Sequence, residues 1–209
     1  MKKIAIYDVD YTIISVNSHL SFTFFLLKKK PFNILRLFHL SFYFVLWIFH
    51  FISTEKVKSK WLILIRDIQS GELEKLSSEF VEKELIKKIK PGALNSINKQ
   101  RKNGFAIIFA SASYEFYIKY LAEYFNADHC FGTRITDNGK GKNPMLDGKN
   151  CKGKEKIVRI LHELDINEID TAASCGYSDS ITDIHFLDLS GTLYLVKRKS
   201  WEFFKVLKK

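Results

Sequence analysis

The sequence predicts an α/β protein: a parallel-sheet core with a helical insertion after its first strand. Three observations predict it. The chain opens on a short apolar run, residues 2–8, ending in the carboxylates of IAIYDVDYTI. Residues 15–90 then keep helical character throughout. Beyond residue 90, strand-length apolar runs alternate with amphipathic helical segments, the pattern of a parallel sheet covered by helices on both faces. This is a Rossmann-like arrangement, in which polar groups at the carboxyl ends of strands gather along one edge.

The elements follow in order. Residues 2–8 form a buried strand. The last helix of the insertion places Leu73, Leu76, Phe80, Leu85 and Ile89 at helical spacing, with Ser70 to cap its start and Pro91-Gly92 to stop it. A further helix turns Leu94 and Ile97 inward and ends at Asn103-Gly104. GFAIIFAS (104–111) reads as the second strand, ended by Ser111, YEFYIKYLAEYF (114–125) as a helix and 128–136 as a strand. DNGKGKNPMLDGKN (137–150) is a polar loop or hairpin. GKEKIVRILHEL (153–164) is helical, TAASCGYS (171–178) and TLYLVK (192–197) are strands, and the tail VKRKSWEFFKVLKK (196–209) has the pattern of an amphipathic helix. The core is thus expected in residues 1–14 and 91–209, and the helical, aromatic-rich insertion in 15–90.

Composition sets the bounds. The 209 residues suffice for one domain with a smaller insertion, and 46% apolar content supports a packed core. Lys and Arg number 33 against 23 acids, a balance that suits acidic partners (nucleic acid, anionic lipid or phosphorylated small molecules) without choosing among them. Cys130, Cys151 and Cys175 form no CxxC pair, so they read as reduced packing thiols of a cytoplasmic protein. Asp8 and Asp10 interrupt the apolar start too early for a secretory signal.

The carboxylates carry the chemistry. Asp8 and Asp10 end the first strand, Ser111 the second, and Asp179 and Asp183 follow 171–178. Lys156 lies early in a helix. A parallel sheet brings all of these to one edge, where four carboxylates repel unless a hard cation neutralises them. Few carboxylates with water completing the shell suit Mg2+. A lysine and a hydroxyl beside such a site suit a phosphoryl group.

These residues resemble a known family. DVDYT (8–12), Ser111 in IIFASAS, Lys156 in GKEK and SDSITD (178–183) are similar, in order, to the four motifs of the haloacid dehalogenase superfamily. SASYEFYIKYLAEYF (111–125) resembles the phosphoserine-phosphatase-like branch, subfamily IB. KKKPFNILRLFHLSF (28–42), with GYSDS (176–180), resembles the phosphatidylglycerophosphatase C family. Two positions depart from the superfamily pattern: Tyr11 and Ser178 stand where many members have Gly.

The resemblance implies a phosphoric monoester hydrolase. Asp8 is the nucleophile that forms an aspartyl-phosphate, and Asp10 is the acid and base. Ser111 and Lys156 bind the phosphate. Mg2+ sits on Asp8, the Asp10 main-chain carbonyl and Asp179. Thr12 orders the turn and the Asp10 side chain, and Asp183 binds a metal-bound water or holds Lys156. It also implies that 15–90 is a cap that selects substrate.

Within that cap, FNILRLFHLSFYFVLWIFHFI (32–52) has 16 apolar or aromatic residues of 21, enough to cross a bilayer, with lysines at both ends. Asp8 must meet residues beyond the cap, so an odd number of crossings is excluded. The segment is therefore the core of the cap, a shallow anchor on the cytoplasmic face of the inner membrane, or half of a two-pass hairpin. So many Phe residues flanked by lysines favour a lipid phosphate such as phosphatidylglycerophosphate at an anionic surface. The alternative is a soluble phosphatase of the phosphoserine phosphatase type. A signalling receiver would place its phosphorylated Asp after a later strand, and no nucleic-acid module is present, so no nucleic-acid partner is expected.

Overall fold

The computed structural model describes residues 1–136 and 144–207. Seven strands form one sheet: β1 (Ile4–Tyr7), β2 (Ala106–Tyr114), β3 (His129–Ile135), β4 (Leu146–Asp147), β5 (Cys175–Ser178), β6 (Thr192–Val196) and β7 (Phe203–Leu207). Their spatial order is β4-β3-β2-β1-β5-β6-β7. The five inner strands run parallel, and β4 and β7 close the edges antiparallel. All four residues of β1 are buried, which explains its unbroken apolar run: a central parallel strand has no solvent face.

Strand alternation builds a core on each face of the sheet. Ala5, Tyr7, Ile107 and Phe109 pack on one side with Ile97 of α5 (Pro91–Lys102) and Ile118 and Leu121 of α6 (Glu115–Tyr124). Ile4, Ile6, Ile108 and Ala110 pack on the other with Ile157 and Ile160 of α7 (Lys154–Glu163). Pro91 stands in the first turn of α5, where its missing N–H costs nothing, so it starts that helix as well as ending the insertion.

Between β1 and β2 lie α1 (Ser18–Lys29), α2 (Asn33–Ile48), α3 (Thr54–Trp61) and α4 (Ser70–Phe80). The last continues through a π turn (Val81–Leu85) and a 3-10 turn (Ile86–Lys88). Aromatic rings build the core of this insertion. Phe22 lies 5.0 Å from Phe80, 6.0 Å from Trp61 and 5.1 Å from Tyr117 of α6, which joins the insertion to the sheet domain.

Several expectations are corrected. The aromatic run 32–52 is not the core of the insertion: among α2 residues only Asn33 is buried, and α1, α4 and Trp61 fill the interior instead. Asn33 and Arg36 fasten α2 to the Leu64 and Ile63 carbonyls, so the polar residues take the inward side and the aromatic side is left facing away from the core. Among the described residues no helix is long and apolar enough to cross a membrane. The tail is a strand, not a helix, because Phe203–Leu207 pairs antiparallel with β6. Ser111 does not end its strand, since β2 runs on to Tyr114 after its pairing with β3 shifts register beyond Ala110. Leu146–Asp147 of the polar loop pairs with β3, while 137–143 lie outside the described residues.

Candidate active site

The carboxyl edge of the sheet gathers the charged groups. Asp8 follows β1 directly, and its N–H donates to the Tyr177 carbonyl of β5 at 2.9 Å. The turn after it places Tyr11 at φ +57°, a left-handed conformation that side chains rarely adopt. Glycine is the usual residue for such a turn. Here Tyr11 bears the strain, and its ring lies 4.8 Å from the Arg198 guanidinium.

Lys156, fully buried in α7, sits between two carboxylates. Its ammonium donates to Asp8 Oδ1 and to Asp183 Oδ2, each at 2.6 Å. Burial alone would lower its pKa, but the two carboxylates overcome this and push it up, so the ammonium stays charged. Burial also raises Asp8, to about 7, against the pull of Lys156; Asp183 adds to the rise. Thr12 orders the Asp8 side chain, not that of Asp10 as expected from the sequence: its Oγ1 donates to Asp8 Oδ2 at 3.2 Å and accepts from the Asp179 N–H at 2.8 Å, so one hydroxyl ties the first and last acidic loops. Ser178, the second departure from glycine, donates to Asp183 Oδ2 at 2.7 Å and accepts from the Ser180 N–H at 3.1 Å. Its side chain thus fixes the loop around Asp179.

Asp10 is held differently. Its Oδ1 accepts from the Ser18 N–H at 3.1 Å, and its Oδ2 from the Ser113 hydroxyl at 3.0 Å. Ser18 Oγ in turn donates to Ser113 Oγ at 2.7 Å and lies 3.1 Å from the Tyr117 hydroxyl. Burial raises the Asp10 pKa, with the serine contacts opposing. The two acids therefore sit in different settings, one against an ammonium and one among hydroxyls. Ser111, buried, accepts from the Ser113 N–H at 3.1 Å.

Four groups in this region were not singled out from the sequence. Ser18 and Ser113 hold Asp10; Ser113 had a usable signal, its place two residues past Ser111 in SAS. Lys58 of α3 reaches in from the insertion, donating to the Ala112 carbonyl and to Asn150 Oδ1 (2.6 Å). Burial lowers its pKa to about 8, against the attraction of Asp10. In sequence it is one of three alternating lysines, with nothing to mark it. Arg198, in the turn between β6 and β7, donates from Nε to Asp179 Oδ2 at 2.7 Å.

The donors are compatible with a hard cation. Lys156 alone compensates both Asp8 and Asp183, leaving excess negative charge, and the buried Asp183 Oδ1 has no hydrogen-bond partner among the described residues. Three acidic, His or Cys side chains do not by themselves converge into a metal cluster among the described residues, and Asp179 turns toward Arg198. The set predicted from the sequence, Asp8 and Asp179 with the Asp10 main-chain carbonyl, needs only two carboxylates and leaves positions for water, as Mg2+ prefers.

Comparison with known proteins agrees with this geometry. The profile of haloacid dehalogenase-like hydrolases matches residues 5–188, and the chain belongs to that family. Among solved structures, a Bordetella pertussis Tohama I protein of unknown function is similar at 18% identity and a TM-score of 0.76, covering 90% of this chain and 86% of that one. A phosphoserine phosphohydrolase-like protein from Francisella tularensis is similar at 20% identity and a TM-score of 0.62, covering 91% and 85%. A phosphoserine phosphatase with bound substrate is similar at 16% identity and a TM-score of 0.63, covering 92% and 85%. At these identities the likeness is one of fold. A search of curated proteins gave no match.

Proposed function

We propose that this hydrolase is a magnesium-dependent phosphomonoesterase working through an aspartyl-phosphate on Asp8. The observation that carries the reading is the pair of acids in contrasting settings, Asp8 on the Lys156 ammonium at 2.6 Å and Asp10 between Ser18 and Ser113. Environments that separate two carboxylates also divide their roles.

Asp8 attacks phosphorus in line; the new oxygen–phosphorus bond forms as the ester oxygen leaves, and Asp10 gives that oxygen a proton. Asp10 then takes a proton from water, which attacks phosphorus and breaks the bond to Asp8. Lys156 and the Ser111 hydroxyl donate to the phosphoryl oxygens during both displacements. Asp183 holds Lys156 in place, and Thr12 orders the turn and the Asp8 carboxylate. Asp8, the Asp10 main-chain carbonyl and Asp179 would hold Mg2+, which would supply the positive charge that lets an anionic nucleophile meet an anionic substrate.

For the leaving group, the solved neighbours described as phosphoserine phosphatases support a small phosphomonoester whose alcohol carries an anionic carboxylate, as serine does. Lys58, delivered beside Asp10 by the insertion, is a cation suited to that anion. A lipid phosphate such as phosphatidylglycerophosphate is the second reading, and the exposed aromatic face of α2, one helix from Lys58, is the observation in its favour. A magnesium-dependent screen of phosphate esters tests both. Turnover of phosphoserine in buffer exceeding that of lipid phosphates in mixed micelles supports the first reading, and the reverse order supports the second. No magnesium-dependent turnover of any phosphomonoester contradicts both.

A further inference from the structure

Helix α2 is built inside out. Its inward stripe, Asn33, Arg36, Leu37 and Leu40, is fastened to the segment after α3. Asn33 Nδ2 donates to the Leu64 carbonyl at 3.0 Å, Arg36 Nη1 to the Ile63 carbonyl at 2.9 Å, and Arg36 also pairs with Asp67. At the other end Trp47 Nε1 donates to Thr54 Oγ1 at 3.2 Å, and the Lys60 ammonium lies 5.2 Å from the Tyr43 ring. The polar anchors thus face the protein, and the helix is held in one orientation.

The outward stripe is apolar. Leu35, Phe38, Phe42, Val45 and Phe49 follow one another at three- and four-residue steps and are all exposed, Phe38 at 74%. Phe32 and Phe51, at 86% and 76%, extend the face beyond both ends of the helix. Scattered exposed hydrophobic residues are ordinary, but a contiguous face of this kind marks a surface with a partner.

Charge selects the partner. Residues 11–60 hold seven Lys or Arg and one acid, Glu55. Lys28, Lys29 and Lys30 pair with Glu84, Glu79 and Glu72, which fastens the end of α1 to the α4 segment, while Lys56 and Lys60 remain exposed beside the C-terminal end of α2. A second copy joined face to face through α2 offers these positive charges one acid, Glu55, as complement, whereas an anionic surface complements them all. The helix is too short to cross a bilayer and is rich in aromatic side chains, as in elements that lie within the interface.

We infer that α2 is a preformed docking face for an anionic lipid bilayer, lying in the interface plane with its Phe-rich stripe among the acyl chains. Because α3 joins α2 to the site through Lys58, docking sets the catalytic edge one helix from the membrane surface.

The test uses the full chain with vesicles of phosphatidylcholine, with and without about one-third phosphatidylglycerol, and the variant Phe38→Glu/Phe42→Glu. Turnover of soluble p-nitrophenyl phosphate is the separate readout of fold and chemistry, since neither Phe belongs to the catalytic machinery. The expected result is co-sedimentation with anionic vesicles that weakens in high salt and falls about 100-fold or more in the variant, with soluble turnover retained. Wild-type protein that stays in the supernatant with anionic vesicles overturns the inference, as does equal sedimentation of variant and wild type. So does a wild-type dimer in light scattering that the substitutions convert to monomer, because the face would then belong to a second copy. None of these results bears on hydrolysis at Asp8, which the soluble substrate reports by itself.

Discussion

Lys156→Met removes one ammonium from between two carboxylates. Lys156 is 2% exposed, and its nitrogen stands 2.6 Å from both Asp8 and Asp183. Methionine keeps most of the unbranched stem, so what is lost is the ammonium, with its two ion pairs and its place 5.2 Å from the Phe186 ring centroid. Breaking a buried ion pair by deleting one partner costs about 3–5 kcal/mol, because the remaining charge is left without compensation. With a urea dependence near 3 kcal/mol per M for a chain of this size, the unfolding midpoint should drop by about 1–1.7 M. The assay is equilibrium urea denaturation followed by circular dichroism in EDTA, so that no divalent cation substitutes for the lysine. Asp183→Asn in the same background removes one of the two stranded charges and should recover part of the loss, a coupling of at least about 1 kcal/mol in the double-mutant cycle. A wild-type midpoint for Lys156→Met, or a double variant no more stable than the single one, would refute the reasoning.

Other predictions follow from the same geometry. Asp10→Asn should lower kcat by about 10²–10⁴ while leaving the urea midpoint close to wild type, measured with p-nitrophenyl phosphate; an unchanged kcat contradicts the acid–base role. Lys58 has its pKa held near 8 in the folded chain, below its ordinary 10.5, so the unfolded chain binds more protons between those values. Wild-type stability should therefore rise with pH across that window, by up to about 3 kcal/mol, and Lys58→Met should lack the rise when urea midpoints are compared at pH 7.5 and 10. Gly132→Ala places a methyl group 2.7 Å from the Glu115 backbone, which cannot move as a side-chain tip can. It should destabilise by about 1–3 kcal/mol in the same assay.

Much of the sheet was legible because its strands are buried on both faces. IAIY and AIIFA carry unbroken apolar runs, and a central parallel strand leaves no other pattern. The tail was misread for the opposite reason: WEFFKVL serves an exposed antiparallel edge, where alternation is weak and a helical pattern fits as well. The acidic residues and Lys156 were placed at one edge because strand ends supply them in sequence. What the sequence could not show was the insertion's contribution. Lys58 reaches the sheet through a helix packing that no local pattern encodes, and Arg198 meets Asp179 only because the β6–β7 turn folds back over the site. The aromatic run was visible as an anomaly, but whether it faced inward or outward depended on α1 and α4 already filling the interior.

The central claim is that Asp8 carries the phosphoryl group. Rapid quenching during turnover of a ³²P-labelled phosphomonoester in Mg2+, followed by peptide mapping, tests it most directly. The account predicts a hydroxylamine-labile phosphoryl group on the peptide containing Asp8, absent in Asp8→Asn. Inorganic phosphate released at full rate by Asp8→Asn, or label found on Ser111 instead, would contradict it.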